Sequence, residues 1–177
     1  MLSGLPGHVD PFRLCDQARS YQGRLELACL PRLAEALASP EGQVIYRIDC
    51  DRDEQRRARL RGSVDAELAV ICQRCMGPMR LPVHVDFLLA VVKGEDEAAQ
   101  LPDEYDPWLL KGETLDLASV IEDELLLALP VAPLHPVEDC SENPDDWLLT
   151  DMEPETALKR ENPFAVLAGL KPPETDD

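Results

Sequence analysis

Aromatic residues are scarce, at 5% of the 177 residues, so Leu, Val, Ile and Ala must fill any core. No run approaches the ~18 uninterrupted apolar residues that a membrane helix needs. Met1 to Asp10 holds neither a basic block nor an apolar one, and no export signal is expected. No glycine-rich phosphate loop, GxSxG elbow or HExxH motif occurs. His84 has no Ser or Cys nucleophile near it in sequence. These absences exclude a membrane protein, a secreted precursor and a low-complexity chain. They point to a cytoplasmic protein that is not an enzyme, with no small-molecule substrate.

Hydrophobic residues make up 45% of the chain and charged residues 29%, a composition that permits a buried core. The net charge of −18 is unevenly placed. Residues 1–90 hold 12 Lys and Arg against 12 Asp and Glu, whereas residues 91–177 hold 5 against 23. The neutral half could face nucleic acid and the acidic half a basic partner. The plainer alternative is that the acid solubilises a tail.

Periodicity places the elements. Asp10-Pro11 opens a short helix. Strands are expected at Leu25–Leu27 and Val44–Ile48, with a second helix over Pro31–Ala38. Leu60, Val64, Ala66, Leu68 and Val70 alternate with charged residues, as do Met79, Leu81, Val83, Val85 and Phe87; both segments read as long strands with one polar face. Residues 93–100 read as an acidic loop and 101–110 as an extended edge. Asp116 caps a helix to about Leu129, where Pro130 and Pro133 stop it. Glu122, Asp123 and Glu124 are expected on its solvated side or against a basic partner. The fold class is therefore α+β: an antiparallel sheet, covered on one face by a helix near 116–129. It occupies a single domain, 1–140. A flexible acidic linker, 141–161, and a short helix and tail, 162–177, follow. Phe164, Leu167 and Leu170 form an apolar stripe on that last helix and are candidate partner-binding residues.

Two constellations carry chemistry. Cys72-Gln73-Arg74-Cys75, with Gly77 two residues on, has the form of a zinc knuckle, the glycine being expected to permit the conformation that aims amides at sulfur. A structural zinc needs four ligands, and His135 and Cys140 are the candidates for the other two. The alternatives are a metal-free turn with reduced thiols, or a redox pair. The second constellation is Arg57, Arg59 and Arg61 on one strand face, with Arg74 at the hairpin tip and Arg80 beyond it. Guanidinium groups at a ~6.6 Å repeat could span RNA phosphates; the alternative is a solvated face paired with Asp49, Asp65 and Glu67.

Four segments resemble one bacterial family. They are Asp10-Pro11-Phe12-Arg13 with Tyr21-Gln22-Gly23; Ile71-Cys72-Gln73-Arg74-Cys75; Leu115-Asp116-Leu117 through Val120-Ile121-Glu122-Asp123-Glu124-Leu125 to Leu129-Pro130-Val131; and Asn162-Pro163-Phe164-Ala165-Val166-Leu167. In that order they resemble the YceD proteins, also called DUF177 or large ribosomal RNA subunit accumulation proteins. The resemblance implies a non-enzymatic role in the synthesis, processing or stability of 23S ribosomal RNA, and so in assembly of the large subunit. It implies no catalytic residues. Many relatives carry a richer cysteine cluster in the C-terminal region, where this chain has Cys140 and His135. The expected partners are ribosomal RNA or a large-subunit precursor, and a basic ribosomal protein or assembly factor. The alternative function is an acidic protein-binding module that escorts a basic ribosomal protein without touching RNA.

Overall fold

A computed structural model of the chain describes residues 5–142. The expected helix at 162–177, with Phe164, Leu167 and Leu170, lies outside the described residues, as does nearly all of the expected linker.

Helix α1 (Pro11–Asp16) starts as its sequence dictates: Asp10 Oδ1 accepts from the amides of Phe12 and Arg13 at 3.0 and 3.2 Å. Strand β1 (Ser20–Glu26) follows, then a 3₁₀ turn over Leu27–Cys29 and helix α2 (Pro31–Ala36). Leu27, expected in the strand, is instead the buried start of that turn. Strands β2 (Gln43–Arg52), β3 (Ala58–Ile71) and β4 (Pro78–Val92) complete an antiparallel meander. The register from Ile71 opposite Pro78 to Arg59 opposite Ala90 makes β3 and β4 the long central ribbon.

Strand β5 (Asp106–Leu109) fills the expected edge but lies parallel to β4, so the sheet is mixed and not wholly antiparallel. Residues 93–105 carry the chain back along β4, which a parallel pairing requires. Its first part, 93–100, expected as a loop, contains a short helix, α3 (Glu95–Ala98). Helix α4 (Leu117–Ala128) then covers the sheet, capped by Asp116 Oδ1 accepting from the Ala118 amide at 3.0 Å.

Alternation decides which face is covered. Val44, Tyr46, Ile48 and Cys50 of β2 and Leu60, Val64, Leu68 and Val70 of β3 point into one core with Leu117, Val120, Ile121 and Leu125 of α4. Two glycines make room for rings in that core. A methyl group at Gly23 would sit 2.9 Å from the Tyr46 hydroxyl, and one at Gly62 would meet the Arg47 carbonyl at 2.3 Å and the Phe87 ring at 2.5 Å. Among the described residues the opposite face is largely polar and open, except at the end of β4, where Ala90 and Val92 are buried.

Glu122 does not lie on a solvated side. It is 4% exposed. Its Oε1 accepts from the amides of Arg32 and Leu33 at 2.7 and 3.2 Å, and its Oε2 from Arg32 Nε at 2.8 Å. Its basic partner is thus in its own chain. Pro31 has no amide proton and Leu30 offers no capping side chain, so the first free amides of α2 find their acceptor on α4.

Candidate metal centre and arginine face

The β3–β4 connection holds Cys72 and Cys75. The Cys72 amide donates to the Gly77 carbonyl at 2.9 Å, and the Met76 amide to the Cys72 carbonyl at 2.9 Å. The residue in the left-handed region is Met76, at φ 58°, and not Gly77. The role of Gly77 is its amide, which points at Cys75 Sγ.

The second half of the centre comes from the segment after α4. Pro130 ends the helix, and the Gln73 amide donates to the Pro133 carbonyl at 2.8 Å, tying this segment to the knuckle. His135 donates its backbone N–H to Cys72 Sγ at 3.4 Å, and its Nδ1 lies 3.3 Å from Cys75 Sγ. A 3₁₀ turn over Val137–Asp139 returns the chain and delivers Cys140. The ligand atoms of Cys72, Cys75, His135 and Cys140 all lie within 4.8 Å of one another.

The electrostatics suit a cation. Burial pushes the Cys72 thiol up, but amides of Cys75, His135 and Arg74 aimed at the sulfur outweigh it and bring the thiol down to about 5. The Gly77 amide lowers Cys75. The neighbouring Cys75 thiol raises His135, and burial raises Cys140. Three sulfurs and one imidazole form a donor set for a tetrahedral metal. With Zn–S of ~2.3 Å the tetrahedron's edges are roughly 3.8 Å, so the longest separation must close by about 1 Å. Arg74 Nη2 donates to the His135 carbonyl at 3.4 Å, and its Nη1 is buried without a partner. That guanidinium thus ties the hairpin tip to the segment after α4.

The five candidate RNA-binding arginines do not form one comb. Arg57 lies in the β2–β3 turn, where its Nε donates to Asp53 Oδ2 at 2.6 Å and its guanidinium stacks 5.0 Å above the Tyr105 ring. Arg59 makes a two-pronged pair with Asp51. Arg74 reaches the His135 carbonyl. Arg80 meets Glu67 loosely at 3.3 Å, both side chains being exposed. Arg61 is exposed opposite Asp49 and forms no ion pair among the described residues. The face alternates in sign: His84 sits between Asp65 and Asp86 at 2.7 and 3.3 Å.

Sequence reasoning missed Asp51, Asp53 and Tyr105 as the groups that hold these arginines. For Asp51 the signal was present, since a hairpin places it opposite Arg59. Tyr105 comes from a distant crossover and gave none. Among the described residues no helix is long and apolar enough to cross a membrane.

The family model for "Large ribosomal RNA subunit accumulation protein YceD" matches residues 60–171, spanning the knuckle, α4 and the second half of the centre. A Haemophilus influenzae protein named large ribosomal RNA subunit accumulation protein YceD is 34% identical over 169 residues, 94% of this chain and 96% of its own length. No solved structure matches. A family match over more than half of the chain and a relative alike nearly end to end have one consequence: the chain belongs to the YceD family.

Proposed function

We propose that this protein is a non-enzymatic factor that raises accumulation of 23S ribosomal RNA by binding the assembling large subunit, with a zinc ion as a structural staple. Family membership carries the reading. The candidate centre supports it. Four protein ligands close a zinc site, whereas catalytic zinc keeps one position open for water or substrate. The ion would be held by Cys72, Cys75, His135 and Cys140, and would fasten the segment after α4 to the β3–β4 turn. Assembly of the large subunit places the protein in the cytoplasm. Of the five candidate arginines, Arg61, unpaired among the described residues, and Arg80, in a loose exposed pair with Glu67, are the two placed to reach phosphate.

The test is the ratio of 23S to 16S RNA in cells depleted of the protein. The ratio should fall, and the wild-type gene should restore it. An unchanged ratio overturns the reading.

A second reading has its own observation. Arg57 and Arg59 are occupied by Asp53 and Asp51, and residues 91–177 carry 23 Asp and Glu against 5 Lys and Arg. An escort for a basic ribosomal protein, without RNA contact, fits that balance. Salt-dependent binding of purified protein to a 23S transcript separates the two. RNA affinity that falls with salt supports the first reading, and absent affinity supports the escort.

A further inference from the structure

Helix α4 keeps one large apolar side chain outside the core. Leu117, Val120, Ile121 and Leu125 fill the core and Leu126 packs half-buried against it, but Leu127 is 80% exposed. A surface helix ordinarily has polar residues opposite its apolar stripe. Leu126 and Leu127 line one wall of a groove of about 850 Å³ whose other wall is β5 and the residues after it, with Trp108 and Leu110 half-buried and Leu109 exposed. Among the described residues β5 is the last strand of the sheet, and its outer edge has no neighbouring strand.

The polar groups along the groove are mostly acids, with Lys111 at its β5 end. Asp116 is committed to capping α4, and Asp123 meets Arg32 at 2.6 Å. Glu124 and Asp106 are different. Both line the groove, and neither makes an ion pair among the described residues. Burial, with Asp106 and Asp123 nearby, raises the Glu124 carboxyl above the usual range. Among the described residues an acid placed this way lacks a cation, and the apolar wall beside it lacks a cover. One kind of occupant supplies both, whereas the same acids would repel RNA phosphates.

We infer that the groove between β5 and α4 docks a basic, leucine-bearing segment of a partner protein. Its apolar side chains seat on Trp108 and Leu127, and its lysines or arginines pair with Glu124 and Asp106. The inference rests on the escort reading and names its surface.

The probe is a fluorescein-labelled 14-residue peptide of lysine–leucine heptads, titrated into the full-length protein by anisotropy. A control peptide has serine in place of every leucine. Leu127→Lys, at an exposed position, should weaken binding about tenfold. Glu124→Gln should weaken it severalfold and flatten its salt dependence. The serine peptide should bind at least about tenfold more weakly, because acid alone does not hold it. Equal binding of both peptides, or indifference to both substitutions, overturns the inference. So does a dimer of free protein that Leu127→Lys dissociates, since the groove would then belong to a second copy. Proteins stripped from purified large subunits, passed over the immobilised full chain, separate the groove from the reading beneath it. Retention by wild type and Leu127→Lys alike removes the groove and leaves the escort standing. Retention by neither, with peptide binding that still depends on Leu127, removes the escort and leaves the groove.

Discussion

Glu122 and Arg32 are joined twice: Glu122 Oε1 accepts from the Arg32 amide at 2.7 Å, and Oε2 from its guanidinium Nε at 2.8 Å. A carboxylate from the middle of the covering helix thus serves as the cap of α2, and two elements that are far apart in sequence are locked in register. Alanine at Glu122 would leave the Arg32 and Leu33 amides without acceptors. The expected cost is about 3 kcal/mol, read as a lower urea midpoint. Arg32→Ala keeps both amide bonds and removes a half-exposed cation, so its cost should be about 1 kcal/mol. Equal effects of the two substitutions would show that the guanidinium, and not the cap, is what matters.

Gly62 lies where β2 and Phe87 approach most closely. The clash of an added methyl with the Arg47 carbonyl at 2.3 Å cannot be relieved by a rotamer change. Gly62→Ala should destabilise the protein by about 2 kcal/mol or more, measured by thermal unfolding. Gly94→Ala is the control, because nothing lies within 4 Å of that position; its melting temperature should stay within about 2 °C of wild type.

Glu124 gives a pH signature. Its carboxyl titrates above the ordinary glutamate value of 4.5 when folded, so the folded state holds the proton more tightly than the unfolded state. Stability is therefore lost as pH rises from 4.5 through the raised folded value. Glu124→Gln cannot ionise. It should match wild type below pH 4.5 and melt higher than wild type at neutral pH. A variant that melts lower at neutral pH would mean that the charge is paired.

The arginines divide into holders and free groups. Arg59→Glu would face Asp51 across the β2–β3 pairing and should lower the melting temperature. Arg61→Glu and Arg80→Glu, at exposed positions, should leave it nearly unchanged. If these two touch RNA, each substitution should reduce the slope of log affinity against log salt by roughly one unit. An unchanged slope with the fold intact would favour the escort.

Much of this architecture was legible in the residues. Alternation over β3 and β4 needs no tertiary information, because a two-residue period assigns each side chain to a face. The Asp10 and Asp116 caps are equally local. The edge strand was expected within 101–110, but its parallel direction was not legible, because four residues, Asp106–Leu109, carry no direction of their own and the crossover before them sets it. Glu122 was misread because helical spacing sets it beside the apolar stripe and cannot report that α2 presents two amides there. At the candidate centre, the Cys72–Cys75 spacing was specific, whereas His135 and Cys140 lie in a segment without periodicity. Their approach depends on Pro130 ending α4 and on the Gln73–Pro133 hydrogen bond. Gly77 was assigned the unusual backbone that Met76 adopts, since residue type alone favours glycine there.

In the proposed function Cys72, Cys75, His135 and Cys140, from two distant segments, hold one zinc ion. The decisive measurement is the metal content of the full-length protein, purified without chelator and determined by elemental analysis beside Cys75→Ser and His135→Ala. Wild type should carry about one zinc per chain, and each variant should lose zinc and melt at a lower temperature, because metal binding and folding share their free energy. Folded wild-type protein that carries no zinc, and whose melting temperature does not change when zinc is added, would contradict the zinc site.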